Sequence, residues 1–101
     1  MPNNSSLHSG HRARLKEKLI NFGADSFSDH ELLEVLLFFS IPRANTNDIA
    51  HTLINTFGSL DGVFNAGYER LILVDGIGAS SALLLSLVGM LNSRNRKKHF
   101  G

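Results

Sequence analysis

Two glycines that bracket a single aliphatic residue, Gly76-Ile77-Gly78, interrupt two apolar helical segments and leave the chain few ways to turn between them. The full segment reads Leu71-x-x-Val74-Asp75-Gly76-Ile77-Gly78-x-x-x-Ala82. Glycine opens backbone conformations closed to other residues and lets N–H groups come close to a neighbour. Ile77 pins the turn into a core, and Ala82 is small enough for the flanking helices to approach. The N–H groups of Gly76, Gly78 and Ser80 then lie at the start of the last helix, where unpaired amides and the helix dipole favour an anion. A backbone phosphate of DNA or RNA suits such a grip, which positions a nucleic acid without reading its sequence.

The expected contact set is therefore Gly76, Ile77, Gly78, Ser80 and Ser81, in a helix-hairpin-helix connection. The same connection also serves simply to join two helices. Asp75 sets a carboxylate beside the proposed phosphate, and Ser80 stands where nucleic-acid-binding hairpins often carry a basic residue.

Helical periodicity recurs along the rest of the chain and strand alternation does not. Leu15, Leu19 and Phe22 are spaced i, i+4, i+7, and Ile49, Ala50, Leu53, Ile54 and Phe57 line one face of another segment. The fold class is all-α, a compact bundle of five to six short helices. Ser9 is placed to cap the first helix and Gly23 to end it, while Ser28 and Glu31 form a capping-box signature for the next. That second helix runs from Asp29 through Phe39, apolar nearly all round in its later half, and stops before Pro42. Asn45 or Thr46 caps a third helix that ends at Gly58, and Ser59 caps a short one through Phe64. Brief helix from Tyr68 to Val74 leads into the hairpin, and the last helix runs from Ala79 to about Arg94. Residues 1–7 are expected to be a flexible tail, 8–94 the folded domain, and 95–101 a basic tail or the start of a linker.

Charge is distributed unevenly. Arg12, Arg14, Lys16 and Lys18 lie near one end and Arg94, Arg96, Lys97 and Lys98 near the other. Between Leu19 and Ser93 two basic residues oppose eight acidic ones, a net −6 that repels phosphate when taken alone. Support for the grip falls to Arg12, Arg14, Lys16, Lys18 and Arg94, provided the first helix lies on the hairpin's side of the bundle. The spacing of these residues equally describes a solvated helix face.

Several function classes are set aside on composition. The absence of cysteine removes disulfides, thiolate metal sites and a cysteine nucleophile, and a cytoplasmic setting is expected. The longest apolar run, Ala82 to Leu91, is broken by Ser86 and Gly89 and falls short of the roughly 18 residues of a membrane span. His8 and His11 share a helical face without a third ligand, so no metal or other cofactor is expected. His30 and His51 read as solvated. Asp29 and Glu31 are explained by helix capping, with Asp25 beside them, and no constellation points to an enzyme. Leu83, Leu84, Leu87 and Leu91 put apolar side chains on more than one face of the last helix, which suits a homodimer contact or docking on a further domain.

Five stretches in order carry a resemblance across residues 8–94: Gly10-His11-Arg12-Ala13-Arg14-Leu15, Phe27 to Glu34, Ile41-Pro42-Arg43, Phe57-Gly58-Ser59-Leu60 and Asp75-Gly76-Ile77-Gly78. Together they resemble the N-terminal domain of RadC-type proteins, a family with a historical DNA-repair label. The resemblance implies tandem helix-hairpin-helix units similar to those of the UvrC nuclease, with a second, degenerate hairpin at Ile41 to Asn45 and Phe57 to Leu60 as connector. It also implies a C-terminal JAB/MPN-type zinc domain in full-length members. This sequence has no such domain, so it is expected to be a shortened or stand-alone version without peptidase-like activity. Asp75 replaces the more usual proline of the family, and Ser80 and Ser81 replace charged or basic residues.

Overall fold

The computed structural model describes the backbone of residues 4–100 and the side chains of residues 10–97. Six helices and no strand occur among the described residues: α1 (Asn4–Phe22), α2 (Asp29–Leu37), α3 (Thr46–Phe57), α4 (Leu60–Phe64), α5 (Tyr68–Leu71) and α6 (Ala79–Phe100), with a 3-10 turn at Ala24–Ser26. None of these helices is long and apolar enough to cross a membrane.

Local chemistry sets most of the boundaries. The Ser28 N–H and hydroxyl both donate to Glu31 Oε1, each at 3.0 Å, and these bonds hold the Glu31 carboxyl below the ordinary carboxylate range. Asn45 accepts from the Asp48 N–H at 3.2 Å at the start of α3, and Ser59 accepts from the Gly62 N–H at 3.0 Å at the start of α4. Gly58 closes α3 in the left-handed conformation.

Four boundaries differ from the sequence expectation. Helix α1 begins at Asn4, so Ser9 lies within it, and α6 continues past Arg94 to Phe100. Helix α2 ends at Leu37, where the backbone tightens into the turn that precedes Pro42, and α5 stops at Leu71 because successive i→i+3 bonds carry the chain from Leu71 to Ile77.

The core is shared by every helix after α1. Leu33 and Leu37 of α2 meet Ala50 and Leu53 of α3, Val63 of α4, Leu71 of α5 and Ala82 and Leu85 of α6, with Ile77 from the hairpin turn. Each fully buried leucine contributes about 1.5–3 kcal/mol relative to an exposed one. The most extensive helix contact is that of α2 with α3. Helices α4 and α6 touch through their backbones: a Cβ at Gly89 would run into the carbonyl of Phe64.

The first helix is attached differently. It leaves Ile20 and Phe22 largely exposed, so the expected Leu15, Leu19, Phe22 stripe does not extend to its last member. Polar contacts hold it instead. The Arg12 guanidinium donates to the carbonyls of Ile41 at 2.7 Å and Ala44 at 3.2 Å and lies 4.5 Å from the Phe38 ring centroid. His11 Nε2 is 3.3 Å from Glu34 Oε2.

The α4–α6 contact leaves no room for a methyl group. Gly89→Ala is expected to lower stability by about 2–3 kcal/mol, read as a fall in the urea midpoint at unchanged slope.

Candidate functional site

The connection between α5 and α6 turns within Ile72–Gly78. The Val74 N–H bonds to the Leu71 carbonyl and the Ile77 N–H to the Val74 carbonyl, both at 3.0 Å, so the chain reverses tightly and returns Ile77 to the core. Gly76 takes φ +88°, a conformation that side chains on Cβ disfavour, and a Cβ there would lie 3.1 Å from Ile49 Cδ1. Ile77 is buried, as is Ala82, which seats the start of α6 against the core. Both assignments follow the sequence pattern.

Gly78 departs from it. Its φ lies outside the left-handed range, and nothing stands within 4 Å of the position its Cβ would occupy. Its carbonyl accepts the Ala82 N–H at 2.9 Å, which makes it the N-cap residue of α6. The preceding N–H groups, those of Ala79, Ser80 and Ser81, have no acceptor within the helix, as at any helix start. Ser80 is exposed, and so are Gly76, Gly78 and Asp75. Ser81 is not available in the way the sequence suggested. Its side chain is buried, and its hydroxyl is 2.8 Å from that of Ser40.

That serine pair ties the turn after α2 to the first turn of α6. Ser40 lies in the turn after α2, next to Phe39. Lys16 of α1 places its Nζ 5.7 Å from the Phe39 ring centroid and 5.9 Å from that of Phe38. The cationic side of α1 and the N-terminus of α6 therefore meet the same short turn. The five supporting basic residues separate accordingly. Arg12 is tied to the carbonyls of the α2–α3 connection, Lys16 lies over Phe38 and Phe39, and Lys18 lies 4.6 Å from the Phe27 ring centroid. Arg14 is exposed. Arg94 is fourteen residues beyond Ser80 on α6, about 20 Å along the axis, and is no neighbour of the hairpin.

Other sequence-derived sites resolve as follows. His8 has no described side chain, and His11 faces Glu34. No group of three or more potential metal-ligating His, Cys, Asp or Glu residues occurs among the described residues. His30 and His51 stack with ring centroids 4.1 Å apart across α2 and α3, with His51 exposed and His30 half-buried. Of the four leucines on the last helix, Leu83, Leu87 and Leu91 are 57%, 45% and 56% exposed, joined by Met90, whereas Leu84 is half-buried.

Sequence reasoning missed Glu34. This carboxylate is almost wholly buried and is surrounded by His11, the Thr46 hydroxyl at 3.4 Å and the Asn47 amide at 3.3 Å. Its one sequence signal is a lone acid inside the apolar run Leu32–Leu37.

Because Gly76 needs its φ and Gly78 does not, the two glycines separate in a stability assay. Gly76→Ala is expected to cost about 1–2 kcal/mol, while Gly78→Ser, which keeps a favoured N-cap residue, stays within about 0.5 kcal/mol of the parent. Equal losses in chemical denaturation would show that Gly78 serves the fold.

Residues 8–83 match the family described as UPF0758 N-terminal. A UPF0758 protein of Fusobacterium nucleatum is 48% identical over 84 residues, which cover 83% of this chain and 36% of that protein. A UPF0758 protein of Ruegeria pomeroyi is 46% identical over 68 residues, 67% of this chain and 30% of that protein. The chain thus spans about a third of the length of these curated relatives. No solved structure matches it.

Proposed function

We propose that this chain, which belongs to the UPF0758 N-terminal family, is a non-catalytic helix-hairpin-helix domain of a RadC-like protein that holds nucleic-acid backbone without sequence preference. The observation that carries the reading is Gly78. Neither backbone conformation nor packing calls for a glycine there, yet its Cβ position opens onto solvent at the N-terminus of a 22-residue helix. A missing side chain at such a place lets a phosphate reach the amides of Gly78, Ala79 and Ser80. The helix dipole adds a favourable field.

The cations of α1 supply the long-range attraction that the acidic middle lacks, with Lys16 and Arg14 available and Arg12 engaged in holding the helix in place. The proposed grip uses backbone donors and few cations, so binding is weak. Its salt dependence is set by the number of phosphates neutralised. Asp75 works against it and limits affinity.

A second reading has its own observation. Leu83, Leu87, Met90 and Leu91 form an exposed apolar row on α6, the kind of face that marks a protein contact in a small domain. In that reading the domain docks on protein and the hairpin only joins α5 to α6.

Fluorescence anisotropy with labelled duplex DNA at about 50 and 200 mM salt separates the two. The expected result is binding that weakens steeply over this range, is lost in Gly78→Val with the helical circular dichroism spectrum intact, and strengthens about twofold to fivefold in Asp75→Asn at the lower salt. Failure to bind at low salt would favour the protein-contact reading.

A further inference from the structure

Phe39 is out of place for a side chain of its kind. It is 74% exposed although it follows α2, whose Leu33 and Leu37 are fully buried, and its neighbours Phe38 and Ser40 are buried and half-buried. The ring is not isolated. Lys16 Nζ stands 5.7 Å from its centroid, and an adjacent groove of about 610 Å³ runs between α1 and the α2–α3 connection. Arg12, Lys16, Ile20, Phe38 and Pro42 line that groove, with Glu17 as its one acid. The surface thus combines an exposed aromatic ring, the Lys16 ammonium and a partly apolar groove nearby.

A duplex offers a surface of this kind little beyond its phosphates, because its bases are stacked on one another. A single strand offers an unstacked base for the aromatic face and a phosphate for the cation beside it. We propose that Phe39, Lys16 and the groove beside them bind single-stranded DNA, with Phe39 stacking on an unpaired base. The inference rests on the backbone-grip reading in one respect: Ser40, the residue after Phe39, is bonded to Ser81 in the first turn of α6, which ties the turn that carries Phe39 to the helix that begins at the hairpin. Stacking on Phe39 then gives the domain a preference for unpaired over paired nucleic acid, which a backbone grip alone does not confer.

The test is a pair of anisotropy titrations of the full chain at low salt, one with a short labelled oligothymidylate and one with a duplex, using Phe39→Ala, Phe39→Tyr and Gly78→Val. Because Phe39 is exposed, its variants keep the fold, as circular dichroism will verify. The single strand is expected to bind more tightly than the duplex. Phe39→Ala should weaken single-strand binding roughly tenfold and leave duplex binding unchanged, and Phe39→Tyr should restore it. Unchanged single-strand affinity in Phe39→Ala, or an equal loss for both probes, overturns the proposal. The two readings fail separately. If Gly78→Val changes neither affinity while Phe39→Ala abolishes single-strand binding, the hairpin grip is wrong and the stacking surface stands. If Gly78→Val abolishes duplex binding while Phe39→Ala changes nothing, the grip stands alone. An absence of binding to either probe refutes both.

Discussion

Burial of Ile77 is the constraint on which the second half of the molecule depends. The side chain is 5% exposed and reaches the core from within a tight turn, which requires the preceding residue to swing through a left-handed conformation that Gly76 supplies. Once Ile77 is seated, Ala82 and Leu85 follow into the same core and the direction of α6 is set. Further along, the bare backbone of Gly89 lies against Phe64, so α4 and α6 are locked at a distance that no larger residue permits. The outward-facing start of α6 is a by-product of this geometry: an apolar anchor holds the turn, and the amides beyond it are left at the surface.

The first helix obeys different physics. Its described side chains contribute nothing to the main buried cluster, and it is held by directional contacts to a connection that is itself irregular. Arg12 satisfies the carbonyls of Ile41 and Ala44, groups that no helix or sheet ladder would pair. His11 reaches Glu34, whose buried oxygens also take the Thr46 hydroxyl and the Asn47 amide. Such polar ties fix orientation more sharply than apolar contact does, since a buried carboxylate tolerates few arrangements of its donors. The result places Lys16 over the turn after α2, which Ser40 joins to α6. Lys16 and Ser81 thereby contact neighbouring residues of one turn.

Features governed by neighbours in sequence were legible without the fold. The bonds between Ser28 and Glu31, the caps at Asn45 and Ser59 and the left-handed Gly58 all span four residues or fewer, and the amphipathic face of α3 follows from its period. The burial of Ile77 and Ala82 was likewise readable from the glycine pattern. What escaped was set by partners far along the chain. Arg12 bonds to residues 29 and 32 positions away, and Ser40 and Ser81 are 41 apart, so neither the burial of the Ser81 hydroxyl nor the recruitment of Arg12 to a structural task had a local signal. Phe39 was assigned to a central helix because Val35 to Phe38 precede it as an unbroken apolar run. The helix ends two residues earlier, and the tightened turn rotates its ring outward.

The proposed ligand of the hairpin amides, the α1 cations and the exposed ring of Phe39 is a nucleic-acid strand held by its backbone. The most direct measurement is a titration of the isotopically labelled chain with unlabelled DNA, followed by the shifts of individual backbone amides at low and at raised salt. The account predicts that Gly76, Gly78, Ala79 and Ser80 move first and furthest, with Lys16 and Phe39 moving alongside, and that salt reverses the shifts. Stationary hairpin amides at saturating DNA, with changes confined to Leu83, Leu87 and Leu91 as protein concentration rises, would contradict it.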